Sequence, residues 1–153
     1  MKNLIILSRS SFLAKIQTHL AKEKIRKFFK GKILEKYSSS IGDVDKTPNA
    51  WQKHGFGIFT NSLSKELISK NVDIVVHSFK DLPVKNSRKT DYVCLERDDP
   101  RDVVLIKRSS LKKKKLIIAT SSPRRKHYLR LLKDYLPYQS FKATTIRGNV
   151  QTR

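Results

Sequence analysis

The chain has 153 residues and a globular composition, so it can bury one ordinary core or two small ones. Its 34 Lys and Arg against 13 Asp and Glu give a net charge of +21, which favours anionic partners such as nucleic acid, acidic membranes or polycarboxylate ligands. A single cysteine excludes an internal disulfide, and the sequence has no zinc-ligand spacing, secretory signal or membrane-spanning apolar run, so we expect a soluble cytoplasmic protein.

The first elements in chain order are a strand and a long helix. Residues 4–7 form an apolar run that predicts a short buried strand. Residues 12–29 predict a helix with Ser10 or Ser11 as its N-terminal cap. The predicted apolar stripe of this helix consists of Leu13, Ile16, Leu20, Ile25 and Phe28.

Further strands and a second helix follow. Residues 33–37 predict a strand, and after a polar loop residues 59–70 predict a helix ahead of a buried strand at 72–76. Residues 92–95 are another strand candidate, in which we expect Cys94 to be a buried small apolar side chain.

A polar segment with a proline, residues 99–102, predicts a hinge between two domains. Beyond it we predict a helix at residues 123–133. The predicted strands of this second part are residues 103–106, residues 116–119 and a strand near residues 138–141. Strands that alternate with helices indicate parallel βαβ units, so the predicted fold class is α/β.

The strand at residues 72–76 leads directly into His77, Ser78, Lys80 and Asp81. Open α/β sheets bind ligands at this end of their strands, so the adjacent cation and carboxylate are candidate site residues. The alternative is a solvated turn.

A second candidate lies where the strand at 116–119 meets the following helix. Thr120, Ser121 and Ser122 are followed, after a proline, by Arg124 and Arg125. Arginines in a first helical turn oppose the helix dipole at a cost of roughly a few tenths of a kcal/mol, unless an anion is bound there. The alternative is an ordinary capped helix with exposed arginines.

Hydroxyls and arginines recur together near both ends of the chain. Arg9 and Ser11 lie between the first strand and the first helix, and Arg147 and Arg153 lie around a glycine that permits a tight turn. Guanidinium groups beside hydroxyls and free N–H groups suit carboxylates or phosphates.

Five ordered motifs resemble those of porphobilinogen deaminase, also called hydroxymethylbilane synthase. They are LSRSSFLAKIQ, HSFKDLP, ERDDPRDV, ATSSPRRK and IRGNVQTR, and they span essentially the whole chain. The resemblance implies an α/β fold similar to type II periplasmic binding proteins, with two domains around a cleft and a third small domain. It assigns domain 1, largely present but without its return segment, to residues 1–98, the hinge to 99–102 and a truncated domain 2 to 103–153, with domain 3 absent.

The resemblance also implies an activity in haem and tetrapyrrole biosynthesis. The family's enzyme is a transferase that joins four porphobilinogen molecules head to tail into hydroxymethylbilane and releases ammonia each time. Asp81 matches the catalytic aspartate, which would stabilise the positive azafulvene and manage protons. The positions that match ligands of the substrate and cofactor carboxylates are Arg9, Ser11, Ser78, Lys80, Thr120, Ser121, Ser122, Arg124, Arg125, Arg147 and Arg153. Asp43 lies in a Gly-Asp pair that the family uses as structural support.

The sequence departs from the family's pattern at two points. Phe56 stands where the family usually has a lysine. The family's dipyrromethane cofactor is attached to a cysteine of the C-terminal domain, and Cys94 does not match that cysteine. We therefore expect this chain to be inactive alone, and a complementing C-terminal fragment to be a partner alongside porphobilinogen and the oligopyrrole chain.

Two alternatives to the deaminase interpretation remain open. One is a degenerate protein that binds anions without turnover. The other is a basic nucleic-acid-binding protein, which the net charge favours. The scattered aromatic residues argue against the second, since nucleic-acid modules usually combine aromatics with basic residues on one surface.

Overall fold

The computed structural model describes residues 3–45, 47, 50–54, 57–83, 89–146, 148, 151 and 153. The chain forms two compact units, Met1–Arg97 and Asp98–Arg153. Helices and parallel strands alternate along it, which is the predicted α/β class. Among the described residues, no helix has both the length and the apolar character needed to cross a membrane.

The first unit is built on a three-stranded parallel sheet. Its strands are β1 (Leu4–Arg9), β2 (Ile33–Ser38) and β3 (Ile74–Val76), in the order β2-β1-β3. The central position of β1 explains why Ile6 and Leu7 are buried. Since parallel strands end at the same edge of a sheet, the residues that follow β1 and β3 lie at one edge.

In the described part of this unit the sheet is accompanied by the helices α1 (Phe12–Arg26), α2 (Ile41–Val44), α3 (Ala50–His54) and α4 (Asn61–Ile68). The core forms where α4 packs on the sheet. Leu63 of α4 is buried with Leu7 and Val72. Partly buried apolar side chains around this cluster are Ile5, Leu67 and Val75.

Helix α1 contacts the sheet through small and polar side chains, so the predicted apolar stripe is wrong. Ala14 and Thr18 are its buried residues, and Thr18 Oγ1 donates a hydrogen bond of 2.7 Å to Ser8 Oγ. Four residues of the predicted stripe are exposed instead: Leu13, Ile16, Leu20 and Phe28. Small side chains allow the helix to approach β1 closely, which the apolar count alone does not reveal.

The second unit contains a two-stranded parallel sheet. Strand β4 (Lys115–Ala119) pairs with β5 (Ser140–Thr144), and α5 (Pro123–Tyr128) lies between them in sequence. The predicted helix at 123–133 is α-helical only to Tyr128 and continues as a 3₁₀ helix, Leu129–Asp134. A further 3₁₀ turn, Arg108–Ser110, precedes β4. Its Ser110 carbonyl accepts a hydrogen bond of 3.3 Å from the hydroxyl of the buried Tyr138.

Several predictions for the irregular parts of the chain are wrong. Residues 92–95 and 103–106 are not strands, because the structure gives them no paired neighbour among the described residues. Cys94 is exposed and not buried, and the residues around it form no sheet in the described part of the chain. The segment predicted as a polar loop holds α2, which begins after the Ser40–Asp43 capping box, and α3.

Candidate active site

The carboxyl ends of β1 and β3 place an arginine and an aspartate side by side. Arg9 is the last residue of β1, and Asp81 lies in the 3₁₀ turn Phe79–Asp81 that follows β3. Arg9 Nη1 is 3.6 Å from Asp81 Oδ2, and the two side chains are 21% and 20% exposed. The pair is therefore partly shielded from water but open to a ligand. Lys80, the neighbour of Asp81, is exposed.

A second carboxylate fixes the orientation of Arg9. Arg9 Nε donates to Asp43 Oδ2 at 3.0 Å, and Arg9 Nη2 donates to Asp43 Oδ1. The guanidinium carbon also lies 4.3 Å from the centre of the Phe59 ring, within the range of a cation–π contact. A Cβ atom at Gly42 would lie 2.2 Å from Phe59 Cε1. Gly42 thus leaves room for the ring on which Arg9 rests, and Asp43 binds the arginine.

Asp43 is itself anchored at the start of α2 by a capping box. It accepts hydrogen bonds from the Ser40 backbone N–H at 2.9 Å and from Ser40 Oγ at 2.6 Å. Burial raises the pKa of Asp43, but the hydrogen bonds from Arg9 and Ser40 outweigh burial and lower this pKa to about 2. Asp43 therefore stays ionised at neutral pH, where it pairs with the positive charge of Arg9.

His77 and Ser78, which precede Asp81 in the chain, contribute further polar groups. Ser78 Oγ donates a hydrogen bond of 3.0 Å to Gln17 Oε1 of α1, which ties the turn to that helix. His77 Nε2 is buried and has no hydrogen-bond partner in the described part of the chain. Burial lowers the pKa of His77, Arg9 lowers it further and Asp81 opposes the shift, so the ring is neutral at pH 7.

Gln17 is not among the site residues that the sequence predicts, although it is the last residue of the motif LSRSSFLAKIQ. Its position in α1 is the signal that could have identified it, because Gln17 shares a helix face with the buried residues Ala14 and Thr18. Ser11, by contrast, was predicted both as a cap and as a ligand. Its Oγ accepts a hydrogen bond from the Ala14 backbone N–H at 3.4 Å, which makes it the cap of α1.

In the second unit, Arg124 and Arg125 of α5 share one carboxylate. Arg124 Nη1 is 2.9 Å from Asp102 Oδ2, and Arg124 Nη2 donates to Asp102 Oδ1 at 3.2 Å. Arg125 Nε and Nη2 both lie 2.9 Å from Asp102 Oδ1. The hydrogen bonds from Arg124, and then those from Arg125, lower the pKa of Asp102. The two arginines are therefore arranged to bind a carboxylate.

The hydroxyls before α5 shape the turn into the helix. Thr120 is buried, and its Oγ1 accepts a hydrogen bond from the Ser122 N–H at 3.2 Å. Ser121 Oγ donates to the carbonyl of Ile146, which follows β5. Ser122 Oγ accepts from the Arg125 N–H at 3.3 Å and caps the helix. These contacts hold the two arginines at the carboxyl end of β4.

Of the remaining predicted site residues, only Arg153 lies in the described part of the chain, and it joins neither cluster. Arg153 is exposed and makes no ion pair with any described residue. Arg147 and Phe56 lie outside the described residues. Within the described ranges, no three His, Cys, Asp or Glu side chains come together as a metal site would require. The lysines at residues 112–115 are exposed, as expected for solvated surface.

Comparisons with known proteins identify the family. The family model described as "Porphobilinogen deaminase, dipyromethane cofactor binding domain" matches residues 4–153. The porphobilinogen deaminase of Ruminiclostridium cellulolyticum is 37% identical over 157 residues, which cover 100% of this chain and 51% of the relative. That of Caldicellulosiruptor saccharolyticus is 34% identical, with 100% and 52% covered. The chain spans about half the length of the curated relatives it matches. With the motifs and the family match in agreement, the chain belongs to the porphobilinogen deaminase family.

Proposed function

We propose that the chain forms the part of a porphobilinogen deaminase that carries its catalytic aspartate and its main carboxylate-binding cations. This transferase joins four porphobilinogen molecules head to tail into hydroxymethylbilane and releases one ammonia at each step. The proposal depends most on the Asp81–Arg9 pair, which lies at 3.6 Å where the strands β1 and β3 end. A cytoplasmic location is part of the proposal.

Asp81 would be the catalytic residue. Loss of ammonia from porphobilinogen leaves an electron-poor azafulvene, and a carboxylate beside the pyrrole N–H stabilises its positive charge and accepts or returns the proton. Such a role needs a carboxylate that is fixed in place but not sealed from the ligand. Asp81 meets both requirements, since it is 20% exposed and lies beside Arg9, which Asp43 fixes in turn.

The arginines would hold the carboxylates of substrate and cofactor. Each pyrrole unit carries an acetate and a propionate, so a growing chain needs several guanidinium groups. Arg124 and Arg125 already bind one carboxylate, that of Asp102, so their donors fit the dipyrromethane cofactor as well. When bound, this cofactor supplies the pyrrole end to which porphobilinogen is joined. The other proposed ligands are Arg9, Ser11, Ser78, Lys80, Thr120, Ser121, Ser122, Arg147 and Arg153.

The test is consumption of porphobilinogen by the chain mixed with the C-terminal half of the Ruminiclostridium cellulolyticum relative, which serves as the complementing fragment. We expect Asp81→Asn and Asp81→Ala to lower the rate by about 10²-fold or more, as for loss of a general acid–base group. Asp91→Asn, an exposed change of the same charge in the same unit, is the matched control.

The outcomes separate the hypotheses. Consumption that survives both changes at Asp81 would exclude this residue as the catalytic carboxylate. Porphobilinogen binding without consumption in any mixture would favour the degenerate anion-binding protein instead. Tight binding of generic DNA at physiological salt, together with no binding of porphobilinogen, would favour the nucleic-acid alternative.

A further inference from the structure

The carboxylate shared by Arg124 and Arg125 belongs to the chain itself. Asp102 Oδ1 faces Nη2 of Arg124 and two nitrogens of Arg125, while Oδ2 faces Nη1 of Arg124. One aspartate thus occupies the donors that a ligand carboxylate would use. It also keeps two like charges close together, which would otherwise repel each other and move apart.

The burial of this cluster differs from that of the other arginine–aspartate pair. Asp43 is 22% exposed and also accepts hydrogen bonds from Ser40. Displacement of the Asp43 side chain from Arg9 would therefore also break the cap of α2. Asp102 is 37% exposed, and its two partners are 59% and 51% exposed. Asp102 makes no other hydrogen bond or ion pair within the described ranges. Its contacts can therefore break without loss of local structure.

We propose that Asp102 is a resident counter-ion that the carboxylate of an incoming ligand displaces from Arg124 and Arg125. This inference rests on the proposed function, because it takes the ligand carboxylate to be the acetate or propionate of a pyrrole. The exchange replaces one carboxylate with another, so the guanidinium donors stay satisfied throughout and the released Asp102 is hydrated.

The exchange also sets the selectivity of the site. Asp102 is part of the same chain, so it competes with a ligand at an effective concentration of roughly millimolar or above. A ligand with a single carboxylate gains no net binding free energy by replacing Asp102. A ligand with further carboxylates makes additional contacts elsewhere, so its net binding free energy is favourable. The arginine pair then prefers dicarboxylates such as porphobilinogen over acetate.

Calorimetric titration of porphobilinogen into the full 153-residue chain tests the proposal. We expect Asp102→Asn to bind about fivefold more tightly than wild type, which corresponds to about 1 kcal/mol, the upper range for an exposed ion pair. Asp102→Glu retains the carboxylate and should stay within about twofold of wild type. Asp99→Asn is the matched control, because Asp99 pairs with Arg101 in the same segment and its change removes the same charge.

The proposal is overturned if Asp102→Asn binds porphobilinogen no more tightly than Asp99→Asn does, or more weakly than wild type does. A second measurement uses only the wild type: saturation with porphobilinogen should move the side-chain ¹³Cγ resonance of Asp102 and leave that of Asp99 in place. An unmoved Asp102 resonance also refutes displacement. Parallel titrations with glutarate distinguish a failure of the displacement proposal from a failure of the proposed substrate. Tighter glutarate binding in Asp102→Asn, with no porphobilinogen binding in any variant, would support the counter-ion and refute the proposed substrate.

Discussion

Replacement of Asp43 by asparagine tests how strongly the arginine of the first unit is held. The change keeps the size of the side chain and removes the charge that receives hydrogen bonds from Arg9 and Ser40. The pKa of Asp43 is lowered from 3.8 to about 2, and this difference corresponds to roughly 2 kcal/mol in favour of the ionised folded state. Water screens part of this energy, so we expect Asp43→Asn to cost about 1–2 kcal/mol at pH 7.

The cost should depend on pH in a defined direction. The folded-state pKa of Asp43 is below the unfolded value, so its contribution is fully present above about pH 4 and is lost as the pH falls through about 2. The assay is urea unfolding followed by far-ultraviolet circular dichroism at pH 7, 4, 3 and 2. Wild type and Asp43→Asn should converge in stability over the acid part of this range.

The control is Asp91→Asn, since Asp91 is exposed and makes no ion pair with any described residue. We expect this variant to stay within about 0.5 kcal/mol of wild type. A destabilisation by Asp43→Asn that is the same at every pH would refute the electrostatic reasoning and indicate a steric effect.

Two further changes probe neighbouring residues. Burial lowers the pKa of His77 below its ordinary 6.5, so the unfolded chain binds a proton that the folded chain does not, and urea stability should fall as the pH drops below about 6.5. His77→Gln should remove this fall and His19→Gln, at an exposed position, should keep it. Gly42→Ala should cost about 1–3 kcal/mol, because its Cβ would lie 2.2 Å from Phe59 Cε1. In a Phe59→Leu background most of that cost should vanish, and an unchanged cost would refute the steric explanation.

Local sequence signals predicted the first unit's sheet well. The apolar runs in β1, β2 and β3 identify strands, and the topology rule places Arg9 and Asp81 at the same edge. The Ser40–Asp43 capping box is also a local feature, since its two residues are three positions apart, but the sequence analysis predicts a loop there. These features depend on residues close in sequence or on a general property of parallel sheets.

Features that depend on distant partners could not be predicted from the sequence. The apolar run at residues 103–106 becomes a strand only if another strand lies beside it, and its composition does not say whether one does. The buried face of α1 follows from the close approach of Thr18 to Ser8, which hydrophobicity does not encode. Asp102 meets its arginines across more than twenty residues, and no local pattern links them.

The parallel register of β1 and β3 determines where the chain can accept an inserted residue. Ser8 pairs with Val76, so Arg9 lies just beyond the last pair and within reach of Asp81. One residue inserted into β1 would turn each following side chain to the opposite face and separate Arg9 from Asp81 and Asp43. A residue inserted between α2 and α3 would change no strand pairing. The site should therefore tolerate insertions in its loops and none in its central strand.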